Sequence, residues 1–251
     1  MDAFQGAALG ILQGVTEWLP VSSEGQTMLV MIGWLGASPS DALSCSLFLH
    51  LGTMIAVILR FRWRILLMAR DLGSGMTRTV VVSTLFTGVT GVPLYLIFRE
   101  SFTGGRQATL LIGLLLMVTG LMLRLRRSGF KGAEEMTFQD MAVLGLAQGL
   151  SILPGVSRSG TTLTVLLMQG MRQEDALTIS FLISVPAILG AIVLDGSIGG
   201  VPPDSALAML LTSFVAGYLT MDLLIRFARD VSFSWFCVVL GMITVLSAAV
   251  V

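Results

Sequence analysis

Two ionisable side chains matter most in stretches that are, Glu24 aside, apolar, small or weakly polar: Glu17 in QGVTEWLPVSSEGQ (13–26) and Arg158 in LPGVSRSGTT (153–162). Charge in an apolar setting is costly, so each marks a site by default. The second stretch joins a Pro-Gly turn to Ser157, Arg158, Ser159, Gly160, Thr161 and Thr162. Small hydroxyl residues and free backbone amides at the start of a short helix make a cradle for an anion. An arginine beside them can grip phosphate through two parallel N–H bonds. The first stretch supplies a carboxylate, the adjacent hydroxyls of Ser22 and Ser23, and the carboxamides of Gln13 and Gln26. Gln13 and Glu17 are four apart and share one helical face.

The rest of the chain says where such groups must sit. Of 251 residues, 55% are hydrophobic and only 12% charged, with mean hydropathy +0.89. Soluble domains carry about twice that share of charge, and disordered chains are poor in apolar residues. Fifteen Lys and Arg balance fifteen Asp and Glu, which leaves no basic surplus for nucleic acid. The composition predicts an integral membrane protein. Cys45 and Cys237 lie in apolar runs without metal-ligand spacing, and the single histidine, His50, is too few for the usual zinc sites. MDAFQGAALG has no basic region before its apolar stretch, so it is not expected to be a cleaved signal.

A membrane crossing needs about 20 mostly apolar residues. Six segments qualify: about 42–60, 79–98, 107–125, 175–194, 205–225 and 233–251. Residues 3–36 and 139–170 are apolar but broken by the two polar stretches. Irregular backbone at membrane depth must be buried in protein or line a wet cavity. Both regions therefore read as re-entrant pairs of short half-helices with polar tips inside.

The two broken regions match each other. Shifting 9–30 by 135 places Leu9, Gly10, Gln13, Gly14, Val21, Ser22, Gly25, Thr27 and Val30 on identical residues. SLFLHLGTMIAV (46–57) then resembles SFLISVPAILGA (180–191). The chain reads as one membrane domain, 1–251, built from repeats of about 1–127 and 136–251. Each repeat holds one re-entrant pair and three crossings, an odd number, so the halves face opposite ways. The predicted fold is an all-α polytopic membrane protein with an inverted-topology repeat and six full spans. Charge supports the orientation. Arg60, Arg62, Arg64, Arg70, Arg78, Arg124, Arg126, Arg127, Lys131, Arg172, Arg226 and Arg229 fall on one side, and only Arg99 and Arg106 on the other. The basic side is cytoplasmic, which places the N-terminus outside and brings the two tips together near the midplane.

QxxxE at 13–17, PVSSEG at 20–25 and PGVSRSGTT at 154–162 resemble the signatures of the undecaprenyl-pyrophosphate phosphatase family, the bacitracin-resistance type. The similarity runs along nearly the whole chain, including LHLGT around His50 and FLISVPAILGA (181–191). The resemblance implies removal of the terminal phosphate from a polyprenyl diphosphate, undecaprenyl- or dolichyl-type, which regenerates the monophosphate carrier for envelope glycans. It also implies a cell-membrane location, Mg²⁺ or Ca²⁺ as cofactor, and a site opening to the outer face. Carried over by position, Glu17 is the essential carboxylate and metal ligand, Ser23 a key hydroxyl, and Arg158 the diphosphate-binding arginine. Gln13, Ser22, Gln26, Ser157, Ser159, Gly160 and Thr162 fill the substrate-binding positions. Gln13 stands where the family often has Glu, and Gln26 where most members have a histidine. The expected partners are the lipid diphosphate, the bilayer and a second copy of the chain.

Plainer readings stand beside these. Glu17 also reads as a structural counter-ion to Arg158, a lesser reading that is compatible with a site role. Glu24 is expected as a solvated residue at the mouth of the tip, and His50 as a hydrogen-bonded helix residue. Asp222 is spaced to pair with Arg226. With Gln26 unable to take a proton as histidine would, Glu17 is the best base left. A carrier moving polyprenyl phosphate across the bilayer is the competing function, because inverted repeats with broken helices also build transporters.

The charge partition makes a direct prediction. Single cysteines placed in 196–204 should react with a membrane-impermeant maleimide on intact cells; reaction only after permeabilisation would reverse the orientation.

Overall fold

The computed structural model describes residues 1–101, 104–125, 129–197 and 200–248. Arg126 and Arg127 lie outside the described residues, as does the side chain of Arg229. Among the described residues, helices joined by turns and short loops account for the chain, with one isolated bridge between Lys131 and Met171. A first hairpin, α1 (Ala3–Thr16) and α2 (Ser23–Leu35), leads into α3 (Pro39–Arg60), α4 (Arg62–Arg70), α5 (Gly75–Ser101) and α6 (Gly105–Met122). A second hairpin, α7 (Phe138–Gly149) and α8 (Arg158–Met168), leads into α9 (Gln173–Asp195), α10 (Pro203–Asp230) and α11 (Ser234–Ala248).

Local signals set where these helices begin. The first helix of each hairpin opens on a reciprocal cap. Asp2 accepts from the Gln5 amide at 2.8 Å while Gln5 accepts from the Asp2 amide at 3.0 Å. Thr137 and Asp140 exchange the same bonds at 3.2 and 2.9 Å. Asp140 also takes an ion pair from Lys131. Partial burial pushes the Asp140 pKa up, but the bonds from Lys131 and Thr137 outweigh it and hold the carboxyl below its usual range. Ser38 caps α3 ahead of Pro39, whose missing N–H costs nothing in a first turn.

Five helices, α3, α5, α6 with its 3-10 extension to Leu125, α9 and α10, are long and apolar enough to cross a membrane. They coincide with five of the six expected segments. The sixth, α11, has 15 described residues, roughly 22 Å of helix at 1.5 Å per residue. The hairpin helices hold 14, 13, 12 and 11 residues, too short to span about 30 Å of hydrocarbon. α3 is the most buried of the long helices, and α5 and α10 turn rows such as Leu85, Val89, Leu96 and Leu211, Val215, Leu219 outward. That apolar exterior suits lipid, not water.

α1 lies along α10, α7 along α5, and α6 along α11. Small residues let these backbones touch, because between helices in an apolar medium close packing replaces hydrophobic exclusion. A methyl added at Gly10 would sit 2.0 Å from Thr212 Oγ1 and 2.7 Å from the Met209 carbonyl. One added at Gly145 would sit 2.3 Å from the Ser83 carbonyl.

One element is added and one expectation changes. The segment 61–78, which lies between the first two expected crossings, contains α4, which exposes Trp63, Leu66 and Leu67 beside its arginines; that mixture suits a membrane interface. Asp222 pairs with Arg60 at 3.1 Å and not with Arg226, because α3 packs beside α10 and brings the arginine within reach.

Gly10→Val and Gly145→Val should each destabilise the protein by about 1–3 kcal/mol through forced separation of helices. Gly33→Ala, exposed and with nothing within 4 Å of the new methyl, should leave the melting temperature unchanged or raised. Equal losses in thermal melts of all three would refute the packing account.

Candidate active site at the junction of two tips

Each tip is shaped by its own turn. α1 ends at Thr16, and Pro20 keeps the preceding residues from continuing as helix. Ser22 then takes φ 57°, the only left-handed non-glycine residue among those described. Such backbone is disfavoured for a side chain-bearing residue and persists where surroundings hold it. Here the Ser22 hydroxyl accepts from the Gly25 amide at 3.3 Å, capping α2, and from the Gly155 amide at 3.0 Å, which belongs to the other tip. Gly155 has φ +105°, and a methyl there would lie 2.5 Å from the Ile112 carbonyl, so this turn needs glycine. Ser157 caps α8 by accepting from the Gly160 amide at 3.1 Å. The tips touch again where the Ser159 hydroxyl donates to the Leu19 carbonyl at 3.3 Å.

Glu17 is the hub. It is 5% exposed. Its Oε1 takes the Arg158 Nη2 ion pair. Its Oε2 accepts from Gln13 Nε2 at 2.8 Å and Ser23 Oγ at 2.7 Å, and faces His50 Nε2 at 3.3 Å. The other ring nitrogen of His50 lies 2.7 Å from the Ser46 carbonyl, so the ring is braced between two acceptors. Arg158 spends Nη1 on the Ser180 carbonyl at 3.1 Å, while its Nε is buried without a partner. Thr162 shares a 2.6 Å hydrogen bond with the Ser180 hydroxyl.

Two spaces that share lining residues open from this hub. A small pocket of about 20 Å³ is lined by Glu17, Ser22, Ser23, Ser157, Arg158 and Ser159. It shares Glu24, His50, Ser151 and Arg158 with a larger cavity of about 190 Å³. Thr84, Thr87 and Gln148 aside, that cavity runs between apolar and glycine positions of α5 and α9, as far as Leu194. Three aromatic rings pack next to Glu17 and Ser180 in the chain, toward the end of α3. Trp18 meets Phe181 edge-on at 5.5 Å, and Phe61 stacks on Phe181 at 6.2 Å. The arrangement offers a hydroxyl hydrogen-bonded to a carboxylate, a guanidinium and helix-start amides, at the polar end of a long apolar channel. A phosphorylated amphiphile fits such a space.

The structure brings Gln13, Glu17, Ser22, Ser23, Ser157, Arg158, Ser159, Gly160 and Thr162 together. Gln26 is turned away, donating to the Val21 carbonyl at 3.1 Å. Glu24 is corrected: only 7% exposed, it faces inward, and its Oε1 is buried without a partner. His50 is a hydrogen-bonded helix residue, as expected, but it belongs to the site. Ser180 was not singled out from the sequence. Its signal was its place opposite Ser46 in the matched segments, since both carbonyls brace a site side chain.

Comparison with known proteins finds relatives along nearly the whole chain. The family described as "Bacitracin resistance protein BacA" matches residues 6–244. An "Undecaprenyl-diphosphatase" of Methanothrix thermoacetophila is 66% identical over 247 residues, covering 97% of this chain and 96% of that protein. Proteins with the same name from Methanococcoides burtonii and Carboxydothermus hydrogenoformans are 38% and 33% identical, covering 95% and 94% of this chain and 96% and 92% of theirs.

Removing one member of a buried ion pair strands the other, at a cost of about 3–5 kcal/mol. Glu17→Gln and Arg158→Ala should therefore each lower thermal stability, and the double variant by less than their sum. Additive losses in the melting cycle would mean that the two side chains do not act as one unit.

Proposed function

Because the chain belongs to the family of the bacitracin resistance protein BacA, we propose that it is a membrane hydrolase of undecaprenyl diphosphate or a dolichyl-type equivalent. It removes the terminal phosphate and returns the lipid monophosphate carrier to envelope glycan synthesis. One observation carries the reading: Ser23, Glu17 and Arg158 converge from two tips on the polar end of an apolar cavity. Phosphoryl transfer asks a protein mainly for positioning and charge neutralisation.

Arg158 and the first amides of α8 hold the terminal phosphate, with Ser157, Ser159, Gly160 and Thr162 shaping that cradle. Ser23 Oγ attacks phosphorus and passes its proton to Glu17 Oε2, 2.7 Å away. The bond to the lipid phosphate oxygen breaks, and water then releases inorganic phosphate from the serine. Gln13 and His50 keep Glu17 aimed at Ser23, while Ser22 and Gln26 maintain the turn.

Mg²⁺ or Ca²⁺ belongs to the same reading. Among the described residues no three His, Cys, Asp or Glu side chains are grouped to enclose a metal. Glu17 already receives four donors, yet a carboxylate oxygen of Glu24 is buried and unpartnered. Magnesium is commonly held by one or two carboxylates with water and substrate phosphates, and this donor set fits that pattern. Such an ion would neutralise charge on the diphosphate.

For topology, the reading is a six-crossing chain with its two hairpins re-entering from opposite faces and its N-terminus outside. The partner pattern supports it: α1 lies on α10 as α7 lies on α5, and each pair swaps elements related by the 135-residue shift. The site opens to the outer face, a reading supported by a cavity that extends to Leu194 near the end of α9. The carrier reading has no observation of its own.

Purified protein should release phosphate from undecaprenyl diphosphate in detergent with Mg²⁺ or Ca²⁺. Arg158→Lys, which keeps the charge but loses the planar fork, should lower kcat/KM by about 100-fold. No release by the unaltered protein under any metal condition would overturn the assignment.

A further inference from the structure

We propose that Glu24, not Glu17, is the carboxylate that receives a divalent cation, in a site that the diphosphate itself completes. The identity of the completing anion rests on the phosphatase reading; the identity of the carboxylate does not.

Glu24 is the second residue of α2 and is almost fully buried, yet Oε1 has no hydrogen-bond partner. It lines both the polar pocket and the long cavity, in each case with His50 and Arg158. The position at a helix start eases a negative charge but does not fill the lone pairs of that oxygen. A buried carboxylate is kept at a cost unless a donor or a cation answers it. Most donors nearby are already in use, Arg158 Nε excepted, and that nitrogen leaves Glu24 Oε1 unanswered. Arg158 points its two terminal nitrogens at Glu17 and the Ser180 carbonyl, His50 is held by Glu17 and Ser46, and Ser23 donates to Glu17.

Glu17 is the wrong ligand for the opposite reason. One oxygen carries the guanidinium, and the other is ringed by the Gln13 amide, the Ser23 hydroxyl and the His50 ring. A cation approaching it would meet hydrogens and would have to displace Arg158. Charge counting points the same way. The pocket holds the carboxylates of Glu17 and Glu24 with the Arg158 guanidinium and the His50 ring, and both of the latter are already engaged by Glu17. A diphosphate adds further negative charge at the same place, so a cation must enter with it. A hard divalent ion prefers oxygen ligands, and Glu24 Oε1 with phosphate oxygens supplies them.

The test uses Mn²⁺ as the probe and inorganic pyrophosphate as the diphosphate, with binding read by electron paramagnetic resonance on the full chain in metal-free detergent. The unaltered protein should bind Mn²⁺ at least tenfold more tightly with pyrophosphate present, since coupled sites reinforce each other. Glu24→Gln should lose that gain, and Glu24→Asp should restore part of it. Without metal, Glu24→Gln should melt at or above the temperature of the unaltered protein, because an unanswered buried carboxylate has gone. Undiminished Mn²⁺ binding by Glu24→Gln, or a metal-free melting temperature well below that of the unaltered protein, would overturn the assignment. Phosphate release by the unaltered protein, measured in parallel, separates the two failures. Release with undiminished Mn²⁺ binding in Glu24→Gln removes only the cation assignment, and lost binding without any release removes only the phosphatase reading.

Discussion

The bond between Glu17 and Arg158 is the constraint on which the rest of the interior depends. The two residues are 141 positions apart, and neither charge is tenable alone inside an apolar body. Joining them obliges both hairpins to end at one place. Everything near the junction then serves to hold that geometry: Ser22 ties one tip to the Gly155 amide of the other, and Ser159 reaches back to the Leu19 carbonyl. In a medium of low dielectric such bonds are strengthened, and a missing partner is felt more.

The junction also shows how matched stretches come to make a single site. Ser23 and Arg158 are 135 apart, the offset at which the tip sequences agree, and each is the first residue of its helix. Each follows a capping serine that takes the amide of a glycine three residues on, Gly25 or Gly160. The two equivalent helix starts meet the same carboxylate, one through each oxygen. At the position matching Glu17 the other stretch has Ile152. The backbone scaffold is therefore shared, and the chemistry comes from three side chains that differ: a carboxylate without a counterpart, and a serine set opposite an arginine.

Much of this was legible in the sequence, because long apolar runs and the breaks between them follow directly from what hydrocarbon tolerates. Five long helices fall where the runs are, and the polar tips converge as their match suggested. The inward turn of Glu24 was not legible. It follows Ser23 in a helix that starts at the tip, and its environment is set by α3 and the second hairpin, which no local pattern reports. Gln26 fails in the opposite sense. Position alone aimed it at substrate, yet its amide finds the Val21 carbonyl within its own turn, a local bond that competes with any outward role. His50 and Ser180 were hidden for a third reason: each acts through a contact between long helices, His50 with its ring and Ser180 with its main-chain oxygen.

Buried polar groups without partners gather at the cavity, although Thr79 Oγ1 on α5 and Asp195 Oδ2 at the end of α9 are also unpartnered. Along the long helices, many hydroxyls are satisfied locally. Thr84, Thr109, Thr212 and Thr244 each donate to the carbonyl four residues back, which permits polar residues there without demanding a partner. Around the cavity that economy breaks down. Glu24 Oε1, Arg158 Nε and Gln148 Oε1 are all buried, all unpartnered, and all on side chains that line the same space. The strained backbone of Ser22 lies at its polar end. Groups of both signs left unanswered in one cavity are a poor way to stabilise an empty protein and a good way to bind something that carries both charges. A diphosphate accompanied by a cation would be such a guest, its oxygens answering Arg158 and, as proposed, its metal answering Glu24. The same deficit explains why Glu17 is saturated. A carboxylate that must stay fixed to position Ser23 and Arg158 is worth more to the site fully bonded than free to follow the ligand.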